Sequence, residues 1–130
     1  MKVGITFGTY DLFHIGHLNI IKRAKELCDY LVVGVSSDTL NFSKKQFYPI
    51  FKLEDRKNIV KSLKYTDEVF TEESLEKKRE YILNHKANFL IMGDDWKGKF
   101  DHLNDICKVI YLPRTKDIST TIIKKKIKSI

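Results

Sequence analysis

The sequence predicts an α/β protein built on one parallel sheet, and three observations support this. Five short, apolar, β-branched segments alternate with segments of helical periodicity. Strands that alternate with helices form βαβ units, which build parallel sheets. The length of 130 residues suits one domain, residues 1–130, and no repeat, low-complexity tract or linker divides it. Because βαβ crossovers are right-handed, we expect a Rossmann-like, doubly wound, five-stranded sheet with helices on both faces.

The predicted elements follow from the local residue patterns. The strands are the segments Val3–Phe7, Tyr30–Val35, Glu68–Thr71, Phe89–Met92 and Val109–Leu112. The helices are the segments Gly16–Cys28, Leu53–Leu63, Ser74–Asn84, His102–Cys107 and Ser119–Ile127. The remaining long segments are predicted as loops: Gly8–His14, Ser37–Lys52 and Gly93–Asp101. Ligands of open α/β sheets bind beyond the carboxyl ends of strands. We therefore expect the first and third loops to face each other across a crevice, provided that strands one and four are neighbours.

Composition excludes several classes of protein. Hydrophobic residues make up 42% of the chain, enough for a packed core, but no stretch of about eighteen apolar residues could span a membrane. The first residues are too short an apolar run for a secretion signal, so a cytoplasmic location is expected. The net charge of +7 suits an anionic partner. Because the basic residues are dispersed and no aromatic stacking platform accompanies them, nucleic acid is not the expected partner. Cys28 and Cys107 are expected to be reduced, buried thiols.

The segment from Gly8 to His17 carries the strongest local signal. A strand runs into a glycine turn, and a helix then opens at His14-Ile15-Gly16-His17. Histidines three residues apart lie on one face of a helix, here in its first turn. The N–H groups of a first turn are unsatisfied and the helix dipole is positive there, so this segment predicts a phosphate site. Gly16 has no side chain that would keep a ligand from the backbone. An i,i+3 histidine pair could also bind a metal, but no further Cys or His cluster accompanies it.

Three segments resemble signatures of a known family. His14-Ile15-Gly16-His17 resembles the HxGH signature of the nucleotidyltransferase superfamily. Arg114-Thr115-Lys116-Asp117-Ile118-Ser119-Thr120-Thr121 resembles the RTxGISTT segment of its cytidylyltransferase branch. Met92-Gly93-Asp94-Asp95-Trp96-Lys97-Gly98-Lys99-Phe100-Asp101 is similar to the MGDDWxGKFD stretch of glycerol-3-phosphate cytidylyltransferases. Because the three segments occur in this order and the resemblance covers essentially the whole chain, the sequence is identified as a member of that family.

The resemblance implies an activity and a set of site residues. It implies transfer of CMP from CTP to a polyol phosphate, with glycerol 3-phosphate as the expected acceptor and CDP-glycerol and pyrophosphate as products. Catalytic roles are implied for His14, His17, Arg114, Ser119 and Thr120. CTP-binding roles are implied for Gly8, Thr9, Tyr10, Ile15, Gly16, Gly93, Asp94, Asp95, Trp96, Thr115, Ile118 and Thr121. Acceptor-binding roles are implied for Lys44, Lys78, Arg56 and Lys64. Mg²⁺ bound with CTP, a homodimer, and a product used in cell-wall or capsule polymer synthesis are also implied.

The chain departs from the family pattern at three places. Asp117 stands where glycine is usual, which adds a carboxylate near the expected triphosphate site. Lys64 replaces an arginine and so loses the guanidinium fork that holds phosphate in two places. The lysine pattern of the long loop becomes Lys44-Lys45-Gln46, so its second lysine is displaced. Alternatives therefore stay open: a different alditol phosphate or phosphoethanolamine as acceptor, or a catalytically weak nucleotide-binding relative.

Overall fold

A computed structural model describes residues 1–130. Its sheet has five parallel strands, β1 (Val3–Gly8), β2 (Tyr30–Ser36), β3 (Glu68–Glu72), β4 (Phe89–Gly93) and β5 (Lys108–Leu112), in the order β3-β2-β1-β4-β5. The strand order reverses between β1 and β4, where Gly4 and Ile5 pair with Phe89 and Leu90. The predicted parallel sheet and the predicted neighbourhood of the first and fourth strands are both confirmed.

Five α-helices accompany the sheet: α1 (Ile15–Glu26), α2 (Asp38–Lys45), α3 (Leu53–Lys61), α4 (Lys78–Asn84) and α5 (Thr120–Lys128). Helix α2 lies in a segment predicted as a loop. The sequence does contain residues typical of a helix start here, Ser37 and Asp38. In the structure the Ser37 hydroxyl caps the helix by accepting the Leu40 N–H, and Asp38 occupies the first turn. None of the five helices has the length and the apolar run needed to cross a bilayer.

Two predicted helices are shorter than expected. The segment predicted as a helix over His102–Cys107 forms only a 3₁₀ turn at Asp101–Leu103. Its polar side chains bond outside the segment, since Asn104 accepts the Val109 N–H and Asp105 pairs with Arg79. The segment Ser74–Asn84 begins as a 3₁₀ turn, Leu75–Lys77, and becomes α-helical at Lys78.

Hydrophobic side chains pack on both faces of the sheet. On one face, Ile21 and Ala24 of α1 and Val60 of α3 cover the alternating residues of β2. On the other face, Ile82 of α4 and Leu103 cover residues of β1 and β4. Burial on both faces explains why the central strands are continuously apolar rather than alternating. Cys28 and Cys107 are free and partly buried at the edges of these layers.

A buried guanidinium joins the segments at the carboxyl edge of the sheet. Arg56 of α3 is fully buried. Its NH1 donates to the carbonyl oxygens of Thr9 (2.9 Å) and Ser36 (2.8 Å), and its Nε donates to that of Phe51 (2.8 Å). Its NH2 donates to Asp38 at 2.6 Å. Arg56 has no exposed surface and does not line the cavity, so the structure places it in the framework beneath the cavity and not in the predicted acceptor site.

Replacing Arg56 should therefore unfold the protein more readily. Arg56→Ala removes the side-chain donor of the Thr9 and Phe51 carbonyls and one of the two side-chain donors of the Ser36 carbonyl, to which Asn41 also donates at 3.2 Å. Asp38 also loses its buried partner, and we expect a loss of about 3–5 kcal/mol in the free energy of unfolding. Urea titration followed by circular dichroism measures this loss. Arg79→Ala is the matched control, because the Arg79–Asp105 ion pair is exposed and should contribute little to stability. Equal effects of the two substitutions would contradict the framework role.

Candidate active site

A cavity of about 360 Å³ opens at the carboxyl edge of the sheet, where β1 and β4 are neighbours. The loop after β1, the start of α1, the end of α2, the end of β4 and the loop into α5 all contribute to its wall. Most of the residues predicted for the site line it: Gly8, Thr9, Tyr10, His14, Gly16, His17, Lys44, Lys78, Gly93, Asp95, Trp96, Arg114, Thr115, Ile118, Ser119, Thr120 and Thr121. The sequence thus identified the parts of the chain that surround the cavity.

Four of the predicted site residues do not line the cavity. Ile15 occupies the first position of α1 and is 53% exposed, and Asp94 lies in a 3₁₀ turn beside the cavity. Arg56 is buried below it. Lys64 follows α3 and precedes β3, so it lies at the amino edge of the sheet, where its ammonium stands 5.3 Å from the Tyr65 ring. Because helices that return between parallel strands end at the amino edge, Lys64 is on the side opposite the cavity.

His14 and His17 form a stacked pair at the start of α1. Their ring centroids are 3.7 Å apart. The backbone N–H of His14 donates to Nδ1 of His17 at 3.2 Å, and the N–H of Gly16 donates to Nδ1 of His14 at 3.0 Å. The two side chains thus cap the helix reciprocally, in the manner of a capping box.

This capping determines which ring nitrogen carries the proton. A backbone N–H only donates, so both Nδ1 atoms are acceptors, and each neutral ring carries its proton on Nε2. Burial lowers the pKa of His14, and Arg114 lowers it further. Burial and then the neighbouring His14 lower the pKa of His17 to about 3. Both histidines are therefore neutral near pH 7, each with an Nε2–H that no protein group accepts.

Aromatic rings support the histidine pair from behind. Tyr10 is 4% exposed, and its ring meets that of His17 edge-on at 5.5 Å between centroids. A side chain at Gly8 would come within 2.7 Å of the Tyr10 ring. A side chain at Gly16 would come within 2.8 Å of the His14 ring. Gly16 is thus required for the position of His14, whereas the sequence had suggested close approach of a ligand to the backbone.

The segment from Arg114 to Thr121 lies beside the start of α1, where the Asn19 amide donates to the Thr115 hydroxyl at 2.8 Å. Ser119 is the N-cap of α5 and accepts the Ile122 N–H at 3.1 Å. The Thr120 hydroxyl donates to the carbonyl of Asp11 at 2.9 Å, which joins this segment to the loop after β1. Both hydroxyls therefore have structural partners, as the capping interpretation predicts. Arg114 is half exposed, and its contact with Asp95 is long at 3.9 Å and forms no hydrogen bond, so its guanidinium is available to bind an anion.

A second cationic corner lies at the ends of α2 and β3. Lys78 is 5% exposed and donates from Nζ to Oε2 of Glu72 at 2.7 Å. Burial lowers the pKa of both Lys78 and Lys44, and the Glu72 carboxylate opposes this effect in both. The cavity therefore combines a corner of lysines with a separate wall that carries the histidine pair and Arg114.

Sequence reasoning missed several residues that line the cavity. Asp11 accepts the N–H groups of Ile50 and Phe51 at 2.8 and 2.9 Å, which holds the end of the long loop in place. Lys45 and Lys124 complete the basic lining, and Glu72 supplies a buried carboxylate; Asn41, Phe47 and Leu75 are also in the wall. The position of Glu72 at the carboxyl end of a strand was a usable signal. The positions of Asn41, Lys45 and Phe47 depend on how the segment Ser37–Lys52 folds.

The carboxylates of the cavity suit a magnesium ion that arrives with a nucleotide better than one held by the protein alone. Asp11 and Glu72 are both buried and bonded to protein donors, whereas Asp95 is about half exposed and has only a long contact of 3.9 Å with Arg114, so it is the most accessible carboxylate. Mg²⁺ commonly uses one or two carboxylates together with phosphate oxygens and water. A donor set of this size fits that coordination, with Asp95 as the protein residue that would hold the ion.

Comparison with known proteins supports the family that the three sequence motifs indicate. The chain is 50% identical over 128 residues to glycerol-3-phosphate cytidylyltransferase of Bacillus subtilis strain 168, with 98% of each chain covered. It is 43% identical over 129 residues to the enzyme of that name from Staphylococcus aureus, covering 98% of this chain and 96% of the relative. The crystal structure of a lipopolysaccharide core biosynthesis protein from Thermoplasma volcanium superposes with a TM-score of 0.77 at 24% identity, covering 89% of this chain and 99% of that one.

The fold and the cavity define a Rossmann-like α/β protein with a cation-lined cavity at the strand-order reversal. The chain belongs to the cytidylyltransferase-like family, whose sequence model matches residues 5–126. The structural similarity supports the fold, and the family match supports the identification made from the three sequence motifs.

The lowered pKa of His17 predicts how stability depends on pH. Its folded pKa is about 3, below the value of about 6.5 expected when the chain is unfolded, so the unfolded state takes up the proton first. The contribution of neutral His17 is fully present above pH 6.5 and decreases as the pH falls toward 3, by at most about 1.4 kcal/mol per pH unit. His17→Asn keeps an acceptor for the His14 N–H but does not titrate. Urea titrations at pH 7.5 and pH 5 should show that the free energy of unfolding falls less between these pH values in the variant than in the wild type. An equal fall in both proteins would contradict this pKa.

The backbone at Asp117 predicts the effect of restoring the family's glycine. Asp117 has φ of 61°, a left-handed conformation that costs most residues about 1–2 kcal/mol and glycine almost nothing. Its side chain is exposed, forms no ion pair and does not line the cavity. Asp117→Gly should therefore raise Tm by a few degrees, about 1–4 °C, and change KM for CTP less than about threefold, since exposed charges are screened. Asp117→Ala is the control and should lower Tm. A large change in KM would show that the carboxylate acts on the nucleotide.

Proposed function

We propose that this chain transfers CMP from CTP to glycerol 3-phosphate, giving CDP-glycerol and pyrophosphate. The observation that supports this most directly is the stacked histidine pair, which presents two neutral Nε2–H donors to a cavity that Arg114 also lines. The family match and the relatives named glycerol-3-phosphate cytidylyltransferase support the nucleotide and the acceptor.

The reaction requires positioning and charge stabilisation more than acid–base chemistry. A phosphate oxygen of the acceptor attacks the α-phosphorus of CTP in line, a new P–O bond forms, and the bond between the α-phosphorus and the bridging oxygen breaks. The electron pair stays on the departing pyrophosphate. A phosphate oxygen is already a nucleophile, so no general base is needed. His14 and His17 would donate from Nε2 to the α-phosphate and the bridging oxygen as charge develops there.

Other residues would hold the two substrates on either side of the α-phosphate. Arg114 and the free N–H groups at the start of α5 would bind the leaving phosphates, because a guanidinium and a helix N-terminus both favour anions. Trp96 and Asp95 lie beyond β4, where the base-reading segment is expected. Lys44 and Lys78 would bind the acceptor phosphate. Mg²⁺ bound to the triphosphate would neutralise part of its charge.

Three finer parts of the proposal rest on the family resemblance: a homodimer, a cytoplasmic location, and use of the product in cell-wall or capsule polymer synthesis. Sedimentation equilibrium of the purified chain tests the first of these. A monomer at all concentrations would remove the homodimer from the proposal and would leave the reaction itself unaffected.

A pyrophosphate-release assay tests the proposed reaction. Four nucleoside triphosphates are each combined with glycerol 3-phosphate, another alditol phosphate and phosphoethanolamine. CTP with glycerol 3-phosphate should give turnover far above every other combination. Comparable turnover with ATP would overturn the cytidylyl assignment, and a preference for another acceptor would overturn the proposed product.

His17→Asn removes the Nε2–H donor while keeping the helix cap, and should lower kcat by about 10²-fold with little change in KM for CTP.

A further inference from the structure

The Glu72 carboxylate has one oxygen without a partner at the floor of the cavity. Glu72 ends β3, and its side chain is 2% exposed. Its Oε2 accepts a hydrogen bond from Nζ of Lys78 at 2.7 Å, whereas its Oε1 accepts none within the protein. The residue nevertheless lines the cavity. Thr66 Oγ1 is the only fully buried side-chain polar atom without a partner, so Oε1 of Glu72 is open to the cavity and is free to receive a donor from a bound molecule.

The surroundings of Glu72 hold that oxygen in a fixed direction. The Lys78 ammonium that binds Oε2 stands 4.1 Å from the centre of the Phe7 ring and 5.0 Å from that of Phe100. These contacts leave Lys78 little freedom, and the 2.7 Å ion pair transmits the restriction to the carboxylate. Glu72 is therefore a rigid acceptor on the cavity floor.

The charges around Glu72 limit what can donate to it. Lys44 acts on the same corner, because Glu72 is the strongest of the charges that influence its pKa. Two ammonium groups and one carboxylate give the corner a net positive charge, which attracts a phosphate and repels a substrate ammonium. A carboxylate cannot bind a phosphate dianion directly. The group that fits Oε1 is a neutral donor carried by a molecule that also bears a phosphate.

We propose that Oε1 of Glu72 accepts a hydrogen bond from a hydroxyl of the acceptor substrate while Lys44 and Lys78 bind its phosphate. Glu72 thereby selects hydroxylated phosphomonoesters over analogues that lack the hydroxyl. This inference rests on the proposed function, since it assigns a specificity-determining residue to the acceptor side of the same cavity.

The test compares acceptors that differ by one hydroxyl. Glycerol 3-phosphate is compared with propane-1,3-diol monophosphate, which lacks the central hydroxyl, and with propane-1,2-diol 1-phosphate, which lacks the terminal one. A hydrogen bond to a charged group contributes about 1.5–3 kcal/mol, so wild-type kcat/KM should fall by about 10- to 100-fold for at least one analogue. Equal use of all three acceptors by the wild type would overturn the role of Glu72 without any variant.

Two variants assign the discrimination to Glu72. Glu72→Met removes both oxygens at similar length, so glycerol 3-phosphate and the weaker analogue should be used within about threefold of each other. Glu72→Gln keeps an oxygen for Lys78 and turns an amide N–H toward the substrate, and it should give an intermediate ratio even if Glu72→Met fails to fold. KM for CTP should change less than about twofold in both. Glu73→Gln is the matched control, because Glu73 is exposed and does not line the cavity.

The outcomes separate this inference from the proposed function. Wild-type discrimination that Glu72→Gln and Glu72→Met both retain in full would overturn the role of Glu72 and leave the reaction standing. Absence of turnover with CTP and every acceptor would overturn the proposed function itself. Loss of discrimination in the Glu72 variants, with the Glu73 control unchanged, is the expected result.

Discussion

The hydrogen bonds of one buried guanidinium organise the carboxyl edge of the sheet. Arg56 joins the carbonyls of Thr9, Ser36 and Phe51, which belong to three segments that are separate in the sequence. Asp11 then holds the same loop through the Ile50 and Phe51 N–H groups. Loops carry unpaired backbone groups that water or side chains must satisfy. Here a single cation satisfies several of them at once, so the loops that form the cavity have defined positions.

On this framework, the helix cap and the candidate catalytic pair are the same two residues. Backbone N–H groups at the start of α1 donate hydrogen bonds to the Nδ1 atoms of both histidines, so each neutral ring carries its proton on Nε2. Burial and the neighbouring cations keep His14 and His17 neutral, so they donate hydrogen bonds without bringing full positive charge. The positive charge of the cavity comes instead from Arg114 and the lysines. Donors and charges are thus supplied by different parts of the chain.

The two sides of the cavity differ in their electrostatics. The wall with the histidine pair also carries Arg114 and the start of α5, which offer a guanidinium and free N–H groups. The corner at Lys44, Glu72 and Lys78 offers two ammonium groups and one carboxylate. The first arrangement suits a polyphosphate and the second suits a phosphate joined to a neutral polar group. A cavity with these two ends is compatible with two different substrates that meet at a phosphorus atom.

The sequence alone determined the strands, the parallel sheet and most of the cavity wall, because these depend on local patterns. Apolar runs specify buried strands, and the HxGH and ISTT segments each lie within one turn of a helix start. The tertiary structure alone decided the roles of Arg56, Lys64 and Glu72. The sequence predicted that Arg56 and Lys64 would both bind an anionic substrate. In the structure, Arg56 donates its hydrogen bonds to backbone carbonyls and to Asp38, and Lys64 lies at the opposite edge of the sheet. Whether a charge binds substrate or backbone depends on partners distant in the chain, and residue type and spacing do not encode those partners.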